Sequence, residues 1–108
     1  MSTPIDPDAL FDTLAAELAP QGATAGAMFG KRALSARGKA FACLKDDTLA
    51  CKLGNGTSDH TEALALPGAE LFDPSGNNRP FKDWVAIPVV LSEHWPHYAQ
   101  TALSSLIG

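Results

Sequence analysis

Two cysteines in 108 residues leave no material for a disulfide framework. Cys43 and Cys51 stand eight apart, which fits neither a zinc knuckle nor a CxxC redox pair. No stretch approaches the ~18 consecutive apolar residues that a membrane span needs. The opening Met-Ser-Thr-Pro-Ile-Asp has neither a basic nor an apolar leader region, so a cytoplasmic protein is expected. Positive charge is also scarce. Eight Lys+Arg against twelve Asp+Glu give a formal charge of -4, and such a field repels phosphate backbones. No Gly-x-Ser-x-Gly elbow occurs, and neither cysteine has a histidine or acid partner evident in the sequence.

What the chain does contain is enough apolar residue, 45%, for one modest core. A single domain over residues 1–108 is expected, with its core over about 8–107. The run Gly26 to Leu53 reads as a meander of three short strands, punctuated by Gly30, Arg37-Gly38-Lys39 and Asp46-Asp47. The loop at Asp46-Asp47 decides where the cysteines point. A two-residue loop sets Leu44 against Leu49 and sends Cys43 and Cys51 to opposite faces, while a three-residue loop puts them side by side. The shorter loop gathers Ala42, Leu44, Leu49, Cys51 and Leu53 on one apolar face, which favours it. Both thiols are read as buried and free.

Helices surround the meander. Asp6 before Pro7 is an N-cap, Ile5 is placed to staple onto Leu10, and Leu10, Phe11, Leu14, Ala15 and Leu18 form one apolar face ending before Pro20. Thr57-Ser58-Asp59 offers caps for a short helix carrying Ala63, Leu64 and Leu66, with Glu62 spaced to form a capping pair with Asp59. Strands are expected at Glu70–Asp73 and Trp84–Ile87, the second stopping at Pro88 or lying at an edge. A last helix is expected to start at Ser92 and to bury Trp95, Ala99, Ala102, Leu103 and Leu106. The expected fold is a two-layer α+β domain in the order α-β-β-β-α-β-β-α, with helices covering one face of an antiparallel sheet.

Met28-Phe29-Gly30, Gly38-Lys39, Phe41-Ala42, Asp46-Asp47, Leu49, Lys52-Leu53, Gly68, Phe72, Arg79-Pro80-Phe81-Lys82-Asp83-Trp84-Val85 and Pro88 resemble the TfoX N-terminal domain family. The related MmcQ/YjbR-like group shares much of this plan. The resemblance covers roughly residues 8 to 105 and implies a fold similar to that of type III secretion chaperones. It implies no catalytic residue, metal or cofactor. The family's namesake regulates natural competence and has a further C-terminal helical domain. With the sequence ending at Gly108, a stand-alone domain is expected, and the competence role is not carried across.

Three constellations invite a functional reading. Gly26 to Lys31 is similar to a phosphate loop, but its glycine spacing is one short, and Arg32 replaces the magnesium-binding Ser or Thr. His94 and His97, with Glu93 beside them and His60 elsewhere, lack a recognised third ligand, so no metal is expected. The segment Arg79 to Trp84 is the strongest candidate, because Arg, Phe and Trp anchor protein interfaces and here follow a Gly/Asn-rich loop. Arg79, Phe81, Lys82 and Trp84 are therefore the expected interaction residues. The competing role for Phe81 and Trp84 is in the core. The expected function is a non-enzymatic interaction or regulatory module, a monomer or weak homodimer with a protein partner and no membrane. The alternative is a nucleic-acid-binding regulator using Lys31, Arg32, Arg37 and Lys39 as a basic edge.

Overall fold

The computed structural model describes residues 6–28, 30–73 and 80–107. The Ile5 staple, Phe29, the loop Pro74 to Asn78, Arg79 and Gly108 lie outside the described residues. Helix α1 spans Pro7–Leu18. Asp6 accepts the Asp8 amide at 3.0 Å, and Pro7 occupies the first-turn position where no amide partner is needed. A single 3-10 turn, Ala19–Gln21, then carries Pro20.

The meander has four strands, not the three expected: β1 Thr24–Met28, β2 Lys31–Ala36, β3 Lys39–Lys45 and β4 Thr48–Lys52. Three turn signals bound four strands, and Gly30, at φ 73°, supplies the left-handed residue between the first two. Arg37 and Gly38 both take positive φ, 52° and 77°, the combination a tight two-residue hairpin demands. Helix α2 (Ser58–Leu64), β5 (Glu70–Phe72), β6 (Phe81–Pro88), a 3-10 segment (Val89–His94) and α3 (Trp95–Ile107) complete the order. The sheet is antiparallel, in the order β1-β2-β3-β4-β6-β5. Of the described helices, none is long and apolar enough to cross a membrane.

Two local expectations change. The cap of α2 is Thr57, whose hydroxyl accepts the His60 amide at 3.2 Å, so the Asp59–Glu62 capping pair is not the device that starts this helix. Three cap-competent residues stand in a row there, and the one whose hydroxyl also reaches the Leu53 carbonyl at 2.9 Å takes the position. The last helix starts at Trp95 rather than Ser92. Non-helical geometry at Leu91 breaks the intervening 3-10 stretch, and Pro96 then falls in the first turn.

Pairing of Leu44 with Leu49 across Asp46-Asp47 fixes the shorter register. Cys51 accordingly joins Ala42, Leu44, Leu49 and Leu53 in the core beneath the helices, and Cys43 points to the opposite face. The β2–β3 register slips between Leu34 and Ser35, so Phe41 is the extra residue of a bulge, and it is fully buried in the helix-side core beside Ala42. Phe11, Leu14 and Leu18 of α1 and Trp95, Tyr98, Ala99, Ala102 and Leu103 of α3 close that core from above. The Trp95 indole Nε1 donates to the Ile87 carbonyl at 3.1 Å, tying α3 to β6. The other sheet face holds a smaller cluster, Cys43, Ala50, Phe72, Trp84 and Ala86, to which the described helices contribute no buried residue. This is a two-layer α+β fold with its helices on one side.

Candidate interaction face

The face away from the helices is built from β-strand alternation. Ala33, Cys43, Ala50 and Ala86 lie in a row across β2, β3, β4 and β6, so that face has a floor of small side chains. Larger groups stand around it. Lys31 and Lys45, two residues from Ala33 and Cys43 along their strands, lie on the same side, as does Lys52, which pairs with Trp84. At the β5–β6 end the register jumps from Leu71↔Val85 to Phe72↔Phe81. That irregularity brings three rings together: Phe72 and Phe81 meet edge to face at 6.1 Å, and Phe72 and Trp84 lie tilted to one another at 5.8 Å.

The three rings differ sharply in exposure. Phe72 is 1% exposed and Trp84 7%, whereas Phe81 is 37% exposed. Trp84 is thus a core residue of the lesser cluster, and Phe81 presents the cluster to solvent. Lys82 beside it is exposed, and its carbonyl accepts from the buried His60 Nε2 at 2.7 Å. Since a carbonyl only accepts, Nε2 carries the proton and the ring is a clamp on β6. Asp83 accepts from the Asn55 amide at 2.8 Å through its carboxylate, and from the Leu53 amide at 2.8 Å through its carbonyl. The segment that displays Phe81 is therefore held from below on rigid elements. Arg79, the fourth expected residue, is outside the described residues.

A cleft of about 570 Å³ adjoins the cluster between the β3–β4 turn and β5. Ala86 and Phe72 line it, with Asp47, Glu70 and Asp73 around it, and Lys45 Nζ donates to the Asp73 carbonyl at 2.7 Å. Phe72 and Lys45 were not among the residues singled out from sequence. The bulge that swings Phe72 under Phe81 has no local signature, although Phe72 belongs to the family resemblance.

No family model, no curated protein and no solved structure matches the chain.

The other constellations come apart in space. Gly26 to Met28 lies in β1 and Lys31 opens β2, so the glycine run joins two strands and leads into no helix. His94 Nε2 lies 3.8 Å from Glu93, His97 meets Tyr98 edge to face with ring centroids 4.8 Å apart, and His60 is buried under β6. Among the described residues no three His, Cys, Asp or Glu side chains gather as a metal site. Burial pushes the Cys43 thiol up to about 11, against a smaller opposing pull from Lys31, and pushes Cys51 up to about 12. Thiols held neutral in this way are poor nucleophiles.

The four cations of the alternative reading do not form one edge. Arg32 points to the helix side, 4.5 Å over the Phe11 ring, and pairs with Asp8 and Asp12. Those partners raise its pKa, the Asp12 hydrogen bond contributing most. Lys31 points to the opposite face, and Arg37 and Lys39 sit at the far end of the β2–β3 hairpin. Because the Arg32 pairs are exposed, they are expected to account for no more than about 1 kcal/mol of the loss in Arg32→Ala, a share that shrinks in high salt, while the contact over Phe11 adds about 0.5–1 kcal/mol. Urea melts at low and high ionic strength check it.

Proposed function

We propose that this protein is a non-enzymatic interaction module of the TfoX N-terminal domain type, and that it anchors a protein partner through Phe81. One observation carries the reading: a ring 37% exposed, backed edge-on by a buried ring, on the sheet side opposite the helices. An aromatic anchor already fixed in place loses little side-chain freedom on binding, which is what makes such residues dominate interface energetics. Lys82 and the adjoining cleft supply a polar rim, and Trp84 and Phe72 act as the rigid backing.

Support for the family assignment comes from the shared residues Gly38-Lys39 and Phe81 to Val85. It also comes from the order of helix, meander, helix, two strands, helix, here with one strand more than the expected plan. The buried, unactivated thiols support a non-enzymatic role. The test is affinity capture of the tagged protein from lysate of its native host, with nuclease, comparing wild type with Phe81→Ser. A nuclease-resistant partner kept by wild type and lost by Phe81→Ser is expected. Recovery that disappears with nuclease contradicts the proposal and favours the nucleic-acid reading.

A further inference from the structure

The corner between β4 and α2 carries a chemistry that the interaction face does not use. Gly54-Asn55-Gly56-Thr57 is a tight turn closed by the Thr57 amide on the Gly54 carbonyl at 3.1 Å, with Gly56 at φ 89°, a left-handed value that glycine takes readily. Both central residues are exposed, and the Asn55 main-chain amide donates to Asp83 Oδ1 at 2.8 Å. Among the described residues no group accepts from the Gly56 amide, and none bonds the Asn55 carboxamide. A Cβ added at Gly56 would meet nothing within 4 Å, so the space round that amide is open to water. The two glutamines are placed differently, because Gln21 and Gln100 bind each other's carboxamides at 2.7 and 2.8 Å. Asn55 is also the one asparagine of three that a glycine follows, since Asn77 precedes Asn78 and Asn78 precedes Arg79.

We propose that Asn55 is a self-deamidation site, converted in the folded protein to aspartate and isoaspartate with water as the co-reactant. The Gly56 amide nitrogen gives its proton to solvent and attacks Asn55 Cγ. The new N–C bond closes a succinimide, and the carboxamide nitrogen leaves as ammonia. Water then opens the ring at either carbonyl, and no electrons are gained or lost. Opening at the side-chain carbonyl leaves aspartate; opening at the main-chain carbonyl leaves isoaspartate, whose backbone runs through the former side chain and is longer by a methylene. Glycine at position 56 suits this step because no side chain stands against the incoming Cγ. The consequence falls on the junction with β6. Either product sets a new carboxylate near that of Asp83, and like charges repel. Asp83 also holds the Leu53 and Gly54 amides through its carbonyl, at 2.8 and 3.0 Å, so repulsion and a longer chain at position 55 both pull this corner away from β6.

Peptide mapping by mass spectrometry tests this on the whole chain, incubated folded at neutral pH and body temperature and, in parallel, in urea. In the folded sample the Asn55 peptide should gain the mass of amide-to-acid conversion and split into aspartyl and isoaspartyl forms, ahead of the peptide that carries Asn77 and Asn78. Asn55→Gln should lose the conversion. Hydrogen exchange at the Leu53 and Gly54 amides should be faster in aged wild type than in fresh protein, and unchanged with age in Asn55→Gln. An Asn55 that keeps its amide in the folded chain while converting in urea overturns the proposal, because the turn then protects it. Conversion that leaves Leu53 and Gly54 exchange unaltered overturns the loosening of the junction with β6.

Discussion

Trp95→Ala is expected to lower stability by about 3–5 kcal/mol, the usual cost of truncating a large buried aromatic side chain. Trp95 is 1% exposed, fills the junction of α3 with the sheet, and donates to the Ile87 carbonyl at 3.1 Å. Truncation removes the packing and the indole hydrogen bond together. For a domain whose total stability is on the order of 5–15 kcal/mol, the loss approaches unfolding at body temperature. Trp95→Phe separates the two terms. It keeps most of the apolar volume and gives up only the indole bond, the Ile87 carbonyl keeping its ladder pairing with Leu49, for a loss of about 1 kcal/mol. Denaturant midpoints for wild type and both variants give the comparison. Equal losses for Phe and Ala would mean that the hydrogen bond, not the packing, ties α3 down.

The second large effect is alkaline instability. Burial raises both thiols above their ordinary value of 9.0, Cys43 to about 11 and Cys51 to about 12. Groups whose folded-state pKa is raised contribute their full stability below the unfolded pKa and lose it as pH climbs past that value. Above pH 9 the unfolded chain therefore releases protons that the folded chain holds, and unfolding gains. At pH 10 the two thiols together contribute a loss on the order of 3 kcal/mol. Tyr98 is shifted the same way, by burial first and then by Glu62 and Asp59, and adds to the loss at higher pH. Between pH 8 and 10 the Cys43→Ala, Cys51→Ala double variant should lose about 3 kcal/mol less than wild type, whatever its stability at pH 8. Parallel pH profiles would show that the thiols are not the cause.

The helix-side core was legible because its elements obey simple periods. Asp6-Pro7 with the Phe11, Leu14, Leu18 spacing announces α1, and the alternation of Ala42, Leu44, Leu49, Cys51 and Leu53 fixes both the hairpin register and the cysteines' faces. β1 was not legible as a strand because Thr-Ala-Gly-Ala-Met has no apolar alternation to read. Both its faces are exposed, so burial imposed no pattern on it. Tyr98 joined the buried stripe of α3 unannounced, since its polar hydroxyl suits either environment. In the candidate face, Phe81, Lys82 and Trp84 were identifiable from residue type alone. That Trp84 backs the site and Phe81 presents it depends on the β5–β6 irregularity, a relation between two strands that no local rule encodes.

Calorimetric titration of the captured partner into wild type and Phe81→Ala, alongside their thermal melts, tests the central claim most directly. Loss of an anchoring aromatic should weaken binding by tenfold or more, about 1.4 kcal/mol or above, while the half-exposed ring changes the melting temperature little. Unchanged affinity, or a melting temperature that collapses with the affinity, would contradict the account and return Phe81 to a purely structural role.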